Sequence, residues 1–284
     1  MRAITVAAVA MLAFACSEPA PPVEPDVPDT DADEQLDTET EDGPAPADDP
    51  DPEAAPEPEA EPEPQDAARR YFEAFATSRP GDMQQMLDQA VPGSPAAVYA
   101  EIQIAFASAL QQEGLTPDPS RLTVTTSGIQ LCTDDGAGGQ DCTQFEALQT
   151  DGGKLAAFTV DGIDIAERLA AGGQTARSGE TTVELVGAYH SVQADSLVVA
   201  LDVRNGTDQT VQLNPYTAEY VTRDGRQVTA ADAFAPLDLR SGASAYVALV
   251  FPAQGVGGTV YLTGFDDGFV EEFEWELPLT AMGD

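Results

Sequence analysis

The chain has 284 residues, enough for about two domains of ordinary size, and its 50 Asp+Glu against 12 Lys+Arg give a formal net charge of −38. That balance argues against nucleic-acid binding, because a phosphate backbone requires clustered Lys and Arg. A single His leaves one candidate for His-based metal ligation or for base-assisted nucleophilic chemistry.

Met1-Arg2 is followed by an apolar run over residues 3–14 and then by Ala15-Cys16. One positive charge, a short apolar stretch and small residues before a cut site form the layout of a secretory signal. The run falls short of the roughly 18–20 residues that a spanning helix needs. Leu12-Ala13-Phe14-Ala15-Cys16 resembles a bacterial lipobox, although Ala13 stands where Leu is commonest and Phe14 is bulky for its place. The resemblance implies cleavage just before Cys16 and transfer of a diacylglycerol to its thiol. It also implies an extracytoplasmic protein held to the membrane by lipid. One acyl chain anchors marginally, whereas two chains at about 0.8 kcal/mol per buried CH₂ hold a protein stably. The bilayer, reached through acylated Cys16, is therefore the first expected partner.

Residues 17–66 contain 20 Asp+Glu, 13 Pro and no Lys or Arg, and their only large apolar side chains are Val23, Val27 and Leu36. Such a segment cannot bury enough apolar surface to offset chain entropy, so a disordered N-terminal stalk is expected. Runs such as Pro56-Glu57-Pro58-Glu59 favour polyproline II, and at about 3.1 Å per residue the contour reaches at most roughly 150 Å. Asp29-Thr30-Asp31-Ala32-Asp33 opens like an EF-hand loop. Glu34 sits where the turn needs Gly, and Thr40 where the loop needs a bidentate Glu, so the stretch reads as low-complexity charge.

Residues 67–176 read as a small α+β domain. A helix over 67–77 aligns Tyr71, Phe72 and Phe75, and Asp82 is placed to cap a short helix ending at Ala90. Ser94-Pro95 opens a longer helix through Glu113, with Val98, Ile102, Ala105, Phe106, Ala109 and Leu110 in helical register and Gly114 as its stop. The period then changes to two around Leu122 and Val124, Ile129 and Leu131, Phe145 and Ala147, and residues 155–160, and a short helix over 164–171 closes the region. Helices followed by an antiparallel sheet resemble the SnoaL-like, or nuclear-transport-factor-like, cone fold. They equally resemble the small α+β domains that precede other modules in actinobacterial lipoproteins.

Residues 172–179 have the composition of a linker. Residues 180–280 read as an all-β sandwich of about seven strands, with Asn205-Gly206, Asp224-Gly225, Ser241-Gly242 and Asp267-Gly268 as turns. Val183, Leu185, Leu197, Val199, Leu201, Val203, Val247, Leu249, Phe251, Val260 and Leu262 are expected to fill the space between its sheets. The long strand ending in Asn205 plus a polar turn, the Asp224-Gly225 hairpin, and the Ser241-Gly242 turn before Val250-Phe251-Pro252 resemble an uncharacterised immunoglobulin-like domain. That domain lies behind lipoprotein signals in many Gram-positive bacteria. The resemblance implies an immunoglobulin-like fold and a place at the envelope, and carries no catalytic residue across.

With Cys16 assigned to lipid, Cys132 and Cys142 flank a polar, Gly-rich loop and are expected to form a disulfide in an exported protein. His190 reads as an exposed edge residue. Gly136-Ala137-Gly138-Gly139 lacks the Lys-Ser/Thr of a phosphate loop. Arg69-Arg70 read as a solvated first helical turn. The carboxylates Asp266, Asp267, Glu271, Glu272, Glu274 and Glu276 read as the wet side of a hairpin. Asn205-Gly206-Thr207 fits the glycosylation triplet only formally. No catalytic residue, metal ligand or cofactor is assigned. The expected function is a non-enzymatic interaction or scaffold module with an unidentified envelope partner. The alternative is a small-ligand carrier or sensor with a cavity lined by Phe72, Phe75, Phe106 and Phe158.

Overall fold

The computed structural model describes residues 64–134, 139–191, 193–252, 255–266, 268 and 272–283. The expected signal, the lipidation site Cys16, the stalk up to residue 63 and the Gly-rich loop at 136–138 lie outside these residues. The described residues belong to one compact, predominantly β unit.

Four helices come first. Helix α1 (Pro64–Ala76) begins earlier than its apolar periodicity indicated and takes the last residues of the acidic stretch into its first turn. Its Ala67, Ala68, Tyr71, Phe72 and Phe75 are buried. One helix was expected between Asp82 and Ala90, but two short ones stand there, α2 (Pro80–Met83) and α3 (Gln85–Gln89). Asp82 lies inside α2 rather than capping it; Arg79 holds the N-cap without a side-chain bond, and Pro80 opens the turn. Helix α4 (Pro95–Gln112) starts where the sequence places it, with the Ala97 N–H donating to Ser94 Oγ at 3.3 Å. Gly114, at φ +73°, follows its last turn.

A five-stranded antiparallel sheet follows in chain order: β1 (Arg121–Val124), β2 (Gly128–Asp134), β3 (Gln140–Asp151), β4 (Lys154–Val160) and β5 (Ile163–Asp164). Phe145 and Phe158 on this sheet meet Phe72 of α1 at ring-centroid distances of 4.3 and 5.3 Å. Such ring packing adds about 0.5–1.5 kcal/mol per pair to the area buried. Ala90, after α3, adds a parallel bridge to Leu155.

The short helix expected over 164–171 is a 3-10 turn, Ile165–Arg168, capped by Asp164; the chain then enters the next sheet as β6 (Leu169–Ala171). The expected linker contains a further strand, β7 (Thr175–Ser178). Both pair with β8 (Thr181–Ser191), on either side of a bulge between Leu185 and Gly187. The strands β9 (Ser196–Asn205), β10 (Val211–Leu213), β11 (Glu219–Thr222), β12 (Gln227–Thr229), β13 (Asp232–Phe234), β14 (Asp238–Leu239), β15 (Ser244–Phe251), β16 (Gly258–Asp266) and β17 (Glu272–Leu279) complete two sheets. One runs β13-β15-β9-β8-β6 with β7 also on β8, and the other runs β12-β11-β16-β10-β14 with β17 on β16. All eleven side chains expected between the sheets are at most 1% exposed. Phe273, Trp275, Leu277 and Leu279 join them from alternate positions of β17.

Helix α4 has apolar neighbours on more than one side. Tyr99, Ile102 and Ala105 share a core with α1 and the five-stranded sheet, while Ala109 and Leu110 cluster with Phe234, Ala248 and Val250 on the outer face of the β13-β15-β9-β8 sheet. Glu101 is its only charged residue. A helix that buries most of its circumference dispenses with a polar face.

Candidate functional site

Beside α4 the helices, the five-stranded sheet and the sandwich do not close completely. A cleft of about 90 Å³ remains. Its apolar wall includes Phe75, Met83, Phe106, Leu110, Phe145 and Val198, with the rings of Tyr99 and Tyr189 beside them. Of the residues named for the expected cavity, Phe75 and Phe106 do line it, whereas Phe72 and Phe158 lie in the filled aromatic core. Tyr99 and Tyr189 meet edge to face, with centroids 5.2 Å apart. Burial pushes the Tyr99 hydroxyl well above its ordinary value, with Tyr189 and Tyr71 adding to the shift, so it stays neutral at any physiological pH.

Polar groups of the lining are Ser78, Gln103, Thr133, Thr143, Ser191 and Gln193; among the described residues Asp118 is its only charged one, and no Lys or Arg lines it. Thr133 and Thr143 are 8% exposed and follow Cys132 and Cys142 on β2 and β3. The two cysteines face each other across the ladder and are joined, with Cα atoms 4.1 Å apart, as their spacing led us to expect. The amide of Gln193, on the β8–β9 turn, donates to Thr143 Oγ1 at 2.8 Å, to Asp161 Oδ2 at 3.0 Å and to the Cys142 carbonyl at 3.3 Å. Asp161 Oδ1 in turn accepts from the Gln144 N–H at 2.9 Å. The mouth of the cleft is therefore tied between the disulfide hairpin and the sandwich.

His190 differs from expectation. It is 3% exposed and lies on the opposite face of β8 from Tyr189 and Ser191, so it turns away from the cleft. The Arg168 guanidinium donates to its Nδ1, and its Nε2 lies 3.3 Å from Asp195 Oδ1. The Arg168 donation fixes the neutral tautomer with the proton on Nε2. Burial, and then the Arg168 charge, hold the imidazole below its usual range, against the opposing pull of Asp195. Arg168 lies 22 residues and Asp195 five residues from His190 along the chain, and no motif unites the three.

The remaining candidates disperse. Asn205 is 1% exposed; its amide donates to the Gln209 and Leu239 carbonyls, each at 2.8 Å, and its oxygen accepts from the Thr207 N–H at 2.9 Å. No sugar can reach that nitrogen. Arg70 bonds Gln89 at 2.9 Å, and Arg69 lies 3.9 Å from Asp66 in an exposed pair. Glu272, Glu274 and Glu276 alternate on the exposed side of β17, as expected. Among the described residues no group of three or more His, Cys, Asp or Glu is placed to hold a metal ion, and no helix is long and apolar enough to cross a membrane. No family model, curated protein or solved structure matches the chain.

Proposed function

We propose that the chain is an exported lipoprotein, held to the cell membrane through acylated Cys16, whose folded body is a non-enzymatic binding module of the envelope. The observation that carries this reading is an order in the sequence. An apolar run ends at Cys16, an acidic Pro-rich stretch follows, and the first helix among the described residues opens at Pro64. A like-charged tether of that composition extends, keeps the body off anionic lipid and leaves its surfaces open to partners. We take the sandwich to be immunoglobulin-like, on the support of two antiparallel sheets around one core. We take the preceding helices and sheet to be an α+β unit of SnoaL-like kind, on the support of the helical layer over an antiparallel meander. The test is capture from envelope extract on the immobilised full chain carrying Cys16→Ser. Retention of a defined envelope component by this chain, and its absence from an unrelated acidic protein, supports the module. An equal yield from both removes it.

The cleft favours a second reading, the small-ligand carrier. At about 90 Å³ it is smaller than the roughly 300 Å³ at which ordinary ligand pockets begin, so it admits one end of a ligand rather than a whole one.

A further inference from the structure

We propose that the cleft beside α4 binds a methylated ammonium group, the trimethylammonium head of choline-type compounds. The inference rests on the binding-module reading and gives it a ligand class.

Three properties of the cleft select this chemistry. Phe75, Tyr99, Phe106, Phe145 and Tyr189 all line it, and aromatic faces attract a cation through the ring quadrupole. Among the described residues its one charged lining residue is Asp118 and no basic side chain contributes, in a chain whose net charge is −38. A carboxylate or phosphate would be desolvated there without a cationic partner and would meet a repulsive field, whereas a cation is drawn in. The third property is size. An enclosed cavity of about 150 Å³ takes benzene. At about 90 Å³, with one side open, this cleft takes a compact head and leaves the remainder of the ligand in water.

The type of cation follows from hydrogen bonding. A primary ammonium brings three N–H donors that need acceptors when buried. The Thr143 and Ser191 hydroxyl oxygens already accept from Gln193 and from the Ala194 N–H, and the tyrosine hydroxyls and remaining polar groups are spread around the lining, so three donors on one nitrogen are poorly matched. A quaternary ammonium has no N–H to satisfy and is weakly hydrated, so it loses least on entry. Asp118 is exposed and acts at a distance, as a counter-charge near the mouth rather than as a buried partner.

The test uses the full chain with Cys16→Ser and compares choline with 3,3-dimethylbutan-1-ol, its uncharged analogue of the same shape. Calorimetry or NMR titration should show choline binding at least about tenfold more tightly, with affinity falling as salt rises from about 0.02 M to about 0.5 M. Asp118→Asn should weaken choline several-fold and leave the alcohol unchanged. Ala107→Phe, which fills the cleft from α4, should abolish binding; Val198→Phe does so from the sandwich side, should the first variant fail to fold. Phosphatidylcholine vesicles serve as a further arm. Sedimentation with them points to a lipid headgroup, and binding of choline without sedimentation points to a free compound. Equal affinity for choline and the alcohol, or no binding of choline, overturns the proposal. Lipidation of Cys16 and capture of an envelope component are read separately, so failure here leaves the tethered module standing.

Discussion

Ala200 on β9 and Ala248 on β15 stand directly opposite each other in the ladder and are both fully buried on the sheet face that receives α4. Their neighbours Leu201 and Val247 point the other way, into the sandwich. Two methyl groups at this crossing let the helix settle on the sheet, so the helical part and the sandwich form one body. Ala248→Leu should force the helix outward and cost about 1–3 kcal/mol, read as a lower urea midpoint, with the cleft perturbed as well. Glu274→Leu puts the same side chain at an exposed position of β17 and should leave the midpoint within about 0.5 kcal/mol. Equal effects of the two would contradict this packing.

The Asn205 side chain closes a turn from inside. Asn205→Ala leaves the buried Leu239 carbonyl without this donor, while the carbonyl of exposed Gln209 keeps the Thr207 hydroxyl. Stranding a buried backbone group costs about 1–3 kcal/mol. Asn205→Ala should therefore lower stability by about that amount by chemical denaturation. Asn205→Asp, which keeps the acceptor but loses the donor, should fail to rescue it.

His190 gives stability a pH dependence of definite sign. Its pKa is lowered in the folded state, so the unfolded chain binds the proton more readily. The contribution is fully present above the unfolded value, about 6.5, and is lost as pH falls from there through the folded pKa. Urea midpoints should thus decline between about pH 7 and pH 5, above the range in which ordinary carboxylates titrate. In His190→Gln that decline should largely vanish. A decline of the same size in both proteins would remove His190 as its source.

The disulfide closes a short loop, with a separation of 10 residues between Cys132 and Cys142. Loop entropy assigns it about 2.7 kcal/mol. Cys132→Ser with Cys142→Ser should lower unfolding free energy by about that amount, and reductant should then have no further effect. The tie from Gln193 to Cys142 and Thr143 lies next to the bond, so backbone amides near the cleft mouth should exchange faster in the double variant.

Much of the fold was legible in the sequence, and the exceptions have physical causes. Ser94-Pro95 and Gly114 bound α4 because capping chemistry is local. The inward set of the sandwich alternates in sequence because a strand exposes its faces in turn. Gly172 and Gly173 have the composition of a linker, yet they serve a close approach. A Cβ at Gly172 would lie 2.2 Å from the Val186 carbonyl oxygen, and Gly173 sits at φ +95° and donates to Leu185 at 2.8 Å. Composition cannot separate a glycine that frees the chain from one that lets two strands touch. The cleft was half legible. Its rings were visible as apolar residues, but which of them face an opening depends on how α4 seats against two sheets at once. The surroundings of His190 were not legible at all, since Arg168 lies 22 residues away along the chain.

A body carried on a lipid leaves a covalent mark, which mass spectrometry of the N-terminal peptide from the host membrane fraction detects. The expected peptide starts at Cys16 and bears a diacylglyceryl thioether on its sulfur. A mature chain recovered outside the membrane, with that sulfur free, would rule out the lipid tether.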